Sequence, residues 1–115
     1  MPGTHAAKAA LFRILGHPVR VRILELLQDG PRSVGDLQAA LGLDSSGTSQ
    51  HLGALRRHGL LESAKDGTSV FYSVKDPRTF ELLVVAREIL ATSLTEGSAL
   101  LAELAAERPE RSRRK

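Results

Sequence analysis

SSGTSQHLGALRRHGLL, residues 45–61, holds two sets of residues that a helix would sort onto opposite sides. Leu52, Leu55 and the region of Gly59 and Leu60 follow the spacing of a face that docks on a core. Ser46, Gly47, Gln50 and His51 fall on the other side, small or hydrogen-bonding and uncharged while the imidazole is neutral. Such a face can meet water, a metal ion or the edges of bases.

Upstream, Ser33 is placed to cap a helix, with Asp36 where a capping box puts an acid. That helix carries Val34, Leu37 and Leu41 inward and ends at Gly42. Only Gly42, Leu43 and Asp44 separate it from the next helix, which Asp44 or Ser45 caps and which runs to His58 and stops at Gly59. A short Gly-containing turn between two amphipathic helices is the spacing of a helix-turn-helix. Before it, residues 5–15 read as a short helix closed by Gly16. Pro18 then opens a helix to about Gln28, with Val19, Ile23, Leu26 and Leu27 as its buried stripe and Asp29-Gly30-Pro31 as its stop.

Downstream the period changes. Residues 60–65 and 69–74 are strand-like, joined by Asp66-Gly67-Thr68, a hairpin turn because Asp-Gly tolerates positive φ angles. Pro77 opens a last helix to about Glu107, loosened at Gly97, and residues 108–115 form a basic tail expected to be disordered. The fold class is mainly α with a small β-hairpin: a winged helix-turn-helix with an additional C-terminal dimerisation helix. It is expected as a single domain over residues 1–107, with its DNA-reading part at about 18–75 and its dimerisation helices at about 5–16 and 77–107.

At 115 residues the chain suits one core, and its 42% apolar residues are mostly Leu, Val and Ala, with three Phe, one Tyr and no Trp. The absence of cysteine excludes disulfides and thiolate metal sites. No signal-peptide pattern opens the chain and no apolar run approaches the roughly 20 residues of a membrane span, so a cytoplasmic protein without membrane association is expected. The net charge of +3 is uneven: +3 over residues 1–75 (9 − 6), −4 over 76–107 (2 − 6) and +4 over 108–115 (5 − 1). A basic body and tail around an acidic helix hint at a polyanionic partner.

The runs LGHPVRVRILELL (residues 15–27) and LDSSGTSQHLGALRRHGLLESAKDGTSVFYSV (residues 43–74) closely resemble the ArsR/SmtB family of bacterial repressors. Members read L-x-HP-x-R-x-x-IL-x-L in the second helix and S-x-HL-x-x-L-x-x-x-GL through the recognition helix, then a DG or similar wing turn. The resemblance covers roughly residues 9–95 and implies a dimeric DNA-binding repressor whose first and last helices form the interface. It also marks a departure. Where the family's arsenic and cadmium sensors carry Cys-x-Cys-Asp-Leu, this chain has Ser33-Val34-Gly35-Asp36-Leu37. Where its zinc sensors carry Asp-x-His, it has Asp76-Pro77-Arg78, and the later ligand positions fall near Ile89 and Thr92. Asp76 alone does not make a zinc site, which takes about four ligands. No metal site and no cofactor are expected.

The expected DNA contacts are Ser45, Ser46, Gly47, Thr48, Ser49, Gln50 and His51 on the helix face, Arg56 and Arg57 near its end, and Lys65 and Thr68 on the wing. Ser49 has an alternative as a local hydrogen-bonding or packing residue, and His51 stands between a phosphate contact and a structural hydrogen bond. Leu11, Phe12, Leu15, Phe80, Leu83, Val84, Ile89, Leu90, Leu94 and Leu101 are the expected dimer residues, because the last helix is apolar on more than one side. A two-fold dimer would place two recognition helices on an imperfect inverted repeat of double-stranded DNA in a promoter. No enzyme is expected: Ser49 and His51 are two apart on one helix and point in different directions. Two other readings are a metal-responsive repressor with a non-standard His/carboxylate site and a winged-helix protein–protein adaptor. The inducing signal has no signature here.

Overall fold

A computed structural model describes residues 3–93 and 102–107 of the chain. Contacts group the chain into two units with the boundary between Phe80 and Glu81. In the first unit the order is α1 (Thr4–Leu15), α2 (Pro18–Leu26), a 3₁₀ turn (Leu27–Asp29), β1 (Arg32–Ser33), α3 (Val34–Leu41), α4 (Ser45–Arg57), β2 (Leu61–Asp66) and β3 (Ser69–Val74). A fifth helix, α5 (Arg78–Ser93), begins in this unit and continues into the second.

Four of the helices, α2 to α5, begin where a side chain accepts from one of their first N–H groups. His17 caps α2 by accepting from the Val19 N–H at 3.1 Å, ahead of Pro18, whose missing N–H costs nothing there. Ser33 Oγ accepts from Asp36 N–H at 3.1 Å and Asp44 Oδ1 from Gly47 N–H at 2.8 Å, which fixes the starts of α3 and α4. The ends are set by two glycines in left-handed backbone. Gly42 (φ 67°) donates to Gln38 O, while Gly59 (φ 80°) donates to Arg56 O and Leu60 to Leu55 O, the paired bonds of a Schellman ending. The turn between α3 and α4 is therefore fixed at both sides.

The core of the first unit is aliphatic: Ile23, Leu24, Leu27, Leu37, Leu52, Leu55 and Leu61 are almost wholly buried, drawn from α2, the 3₁₀ turn, α3, α4 and β2. Each such side chain contributes about 1.5–3 kcal/mol by leaving water, so these residues hold α4 in place with one side turned outward. Leu15, expected at a dimer interface, is 9% exposed and is counted with this core instead, as the one buried residue of α1.

The sheet differs from the expected hairpin by one strand. β2 and β3 pair antiparallel from Leu61↔Val74 to Asp66↔Ser69, and β1 adds on the far side of β3 through Arg32↔Tyr72 and Ser33↔Phe71, giving the order β1-β3-β2. A two-residue strand has no periodicity to read, and Ser33 serves both as its last residue and as the α3 cap. The wing turn is Gly67-Thr68, and among the described residues only glycines have positive φ. Asp66 stays in β2 as the partner of Ser69, so Gly67 (φ 67°) alone supplies the left-handed conformation.

The last helix starts at Arg78 rather than Pro77, with Asp76 Oδ1 accepting from Arg78 N–H at 3.0 Å. In the second unit α5 is helical to Ser93, and residues 102–107 are helical. The expected continuity through Gly97, the dimer positions Leu94 and Leu101, and the tail at 108–115 lie outside the described residues.

Candidate nucleic-acid interface

On α4, Thr48, Leu52, Ala54 and Leu55 are buried, while Ser45, Ser46, Ser49, Gln50, Arg56 and Arg57 are exposed and Gly47, His51 and Gly53 half-buried. The exposed residues present hydroxyls, an amide and two guanidinium groups, which can bond base edges and phosphates. Little side-chain bulk stands between the first turn of the helix and a ligand, because Ser45, Ser46 and Gly47 are all small.

Thr48 departs from expectation. It is fully buried, and its hydroxyl donates to the Asp44 carbonyl at 2.9 Å. Thr48 precedes Leu52 by one turn and Leu55 by two, so it shares their inward face. Its hydroxyl is satisfied inside the helix and does not face DNA.

Gly47 carries a specific constraint. A Cβ built there would lie 2.9 Å from Asp44 Oδ1, the capping oxygen. A Cβ on Gly53 would lie 3.1 Å from Arg57 Nη1, so the Arg57 side chain folds back along α4 over that glycine. Lys65 and Thr68 are exposed at the wing tip with Asp66 and Gly67.

His51 is tied to α2. Arg20 Nε donates to His51 Nδ1 at 3.1 Å, and the His17 and His51 ring centroids are 4.3 Å apart at a tilt of 54°. Burial, then the neighbouring His17, then the Arg20 charge all lower the His51 pKa from its ordinary value, favouring the neutral ring. His58, seven residues on, bonds Ala54 O through Nδ1 at 2.9 Å, so the two histidines have separate partners. Among the described residues no three His, Cys, Asp or Glu side chains gather where they could hold a metal ion.

Comparison with known proteins gives this geometry a context. A family model described as a helix-turn-helix domain matches residues 15–64. An uncharacterized HTH-type transcriptional regulator of Mycobacterium tuberculosis is 48% identical over 100 residues, covering 86% of this chain and 88% of its own. Its crystal structure superposes with a TM-score of 0.77 at 45% identity, over 84% of this chain and 97% of that one. A homodimeric winged helix-turn-helix DNA-binding domain of Mycobacterium bovis, described as a possible ArsR-family regulator, has a TM-score of 0.64 at 34% identity, covering 80% of this chain and 95% of that one. This chain belongs to the ArsR/SmtB family of winged helix-turn-helix transcriptional regulators. A further relative, the biofilm growth-associated repressor of Xylella fastidiosa, is 32% identical over 84 residues, covering 73% of this chain and 74% of its own.

Against the family pattern, the HP-x-R run of this ArsR/SmtB chain gains a physical role. His17 caps α2, Pro18 occupies its first position, and Arg20 reaches α4. The sequence did not single out Arg20 as a partner of His51. Its partner is 31 positions away, so no local spacing reports the contact.

On α5, Val85, Ile89 and Leu90 are 47%, 60% and 45% exposed, and on α1 Leu11 and Phe12 are 37% and 58% exposed. Phe80, Leu83 and Val84 are half-buried. Val85 was not singled out from sequence, although it stands one turn before Ile89.

Proposed function

We propose that this ArsR/SmtB-family chain is a cytoplasmic homodimeric repressor that inserts α4 into the major groove of an imperfect inverted repeat in a promoter. The observation that carries this reading is the division of α4, with Leu52 and Leu55 locked in the core and Ser46, Ser49 and Gln50 facing out beside a wing that exposes Lys65 and Thr68. In this reading Ser45, Ser46, Ser49, Gln50 and His51 meet base edges or nearby phosphates, Gly47 admits the backbone close to the duplex, and Arg56, Arg57, Lys65 and Thr68 hold phosphates. Thr48 takes no part.

The dimer follows from the apolar side chains left in solvent on α1 and α5, and the Mycobacterium bovis relative is itself homodimeric. Two α4 helices on a two-fold axis would fit half-sites roughly 34 Å apart. Bound over a promoter, such a dimer obstructs polymerase, which makes repression the expected output. The chain's place among transcriptional regulators speaks for binding rather than catalysis.

The experiment is selection of genomic fragments by the purified protein, followed by gel shifts across a salt series. Retardation that weakens steeply with salt supports the reading, because displaced counterions accompany phosphate contacts. No retarded band at low salt overturns it in favour of a protein-binding role. Zinc or nickel titration that gives stoichiometric binding and releases DNA would make the chain a metal sensor with unusual ligands.

A further inference from the structure

Arg20 is not on the recognition helix, yet it determines what that helix offers at His51. A neutral imidazole has one donor nitrogen and one acceptor nitrogen. The Arg20 guanidinium is permanently charged and only donates, so its 3.1 Å bond to Nδ1 makes Nδ1 the acceptor and leaves the His51 proton on Nε2. His17 beside it is committed in the same sense, its Nδ1 accepting from Val19 N–H at 3.1 Å. Among the described residues Arg87 Nη1 is the buried side-chain polar atom without a partner. His51 is half-buried on α4, and its Nε2 is not such an atom.

We propose that Arg20 is a positioning residue for DNA recognition: by holding His51 Nδ1 it presents Nε2–H from the recognition helix as a fixed hydrogen-bond donor. The inference rests on the reading of α4 as the groove helix. The acceptor is then a guanine N7 or O6, an adenine N7, a thymine O4 or a phosphate oxygen, while the cytosine amino group is refused. A freely rotating, tautomerising histidine would make no such choice. The tie spans α2 and α4, so the ring is oriented before DNA arrives and little side-chain entropy remains to be lost on binding.

The first test needs only the unaltered full-length protein. Long-range proton–nitrogen NMR is expected to show His51 with an unprotonated Nδ1 and a protonated Nε2. A proton on Nδ1 overturns the proposal. The second test is a double-mutant cycle on a DNA fragment that the wild-type protein has selected, at one salt concentration. Arg20→Met and His51→Ala are each expected to weaken binding about tenfold, and the double variant also about tenfold. Losses that multiply to about a hundredfold overturn the proposal and make Arg20 an independent contact. Replacing single base pairs then locates the acceptor: loss of the His51 contribution on particular substitutions marks a base, and an unchanged contribution on all of them marks a phosphate. Failure of the wild-type protein to select any DNA overturns the groove reading together with this one, whereas selection followed by multiplicative losses overturns this one alone.

Discussion

Asp44 and Gly47 exclude a side chain at the third residue of α4: the Asp44 oxygen that accepts the Gly47 N–H at 2.8 Å lies 2.9 Å from where a Cβ would stand. Gly47→Ala must therefore push the cap aside, and a lost cap costs typically about 1 kcal/mol. Replacing glycine by alanine within a helix returns a similar amount, about 0.5–1 kcal/mol. The two effects oppose each other, so thermal unfolding should shift by no more than a few degrees. DNA binding should nevertheless fall, because the methyl and the displaced carboxylate occupy the face proposed to approach the duplex. A melt and a gel shift on the same preparation check both. A large drop in melting temperature would mean that the cap matters more than this balance allows.

Thr48 and Gln50 separate support from contact. Thr48→Val keeps the volume of a buried residue and removes one hydroxyl that donates to Asp44 O. About 1 kcal/mol of stability should be lost, with DNA affinity unchanged at temperatures below the unfolding transition. Gln50→Ala, at an exposed position, should do the reverse. Its stability should stay within about 0.5 kcal/mol of wild type, while discrimination among operator variants relaxes by about 1–3 kcal/mol at one base pair. Comparing melts with binding to a panel of substituted operators tests the division.

That division was only half legible in the sequence. Helix starts and stops were readable because they depend on neighbours: Ser33 and Asp44 cap, Gly42 and Gly59 terminate, and the structure uses all four. The wing was readable from Asp66-Gly67, although only Gly67 takes positive φ. Thr48 misled because polarity outweighed position. Its spacing to Leu52 and Leu55 already put it on the inward face, and a methyl-bearing hydroxyl that bonds its own helix is cheap to bury. Leu15 misled in the opposite way, since an apolar residue at the end of an exposed helix gives no sign of which body covers it. β1 and the Arg20–His51 bond were beyond reach because both join segments far apart in the chain, and such pairings exist only once the core has formed.

The His51 environment predicts a direction for stability against pH. Burial, His17 and Arg20 all lower its pKa in the folded chain below the ordinary 6.5. As pH falls from neutrality through that value, the unfolded chain takes up a proton before the folded one does, so stability present above about 6.5 is progressively lost. Melting temperature should drop between pH 7.5 and 5.5, and His51→Gln, which cannot titrate, should drop less. Asp76 acts in a different window: the side-chain and backbone hydrogen bonds from Arg78 hold its carboxyl at about 2. Its contribution is complete above the ordinary 3.8 and is lost only as pH approaches 2. A wild-type drop above pH 5.5 matched fully by His51→Gln would assign the effect to another group.

The apolar face of α5 makes the assembly itself testable. Val85 and Ile89 are one helical turn apart, and Ile89 is 60% exposed in the isolated chain. Covering that exposed part in a partner would yield about 1–2 kcal/mol per copy, and a two-fold interface counts it twice. Ile89→Glu removes this gain and adds a charge that must be desolvated, so dimer dissociation should tighten its grip on the equilibrium by roughly a hundredfold or more. Because the residue is already in water, the fold of the single chain should be little affected. Sedimentation equilibrium is the direct measurement, with circular dichroism as the check on folding. Operator affinity should fall with dimerisation, since each half-site would then be bound separately. A variant that stays dimeric at wild-type strength would place the interface elsewhere and leave the exposed α5 residues without this role.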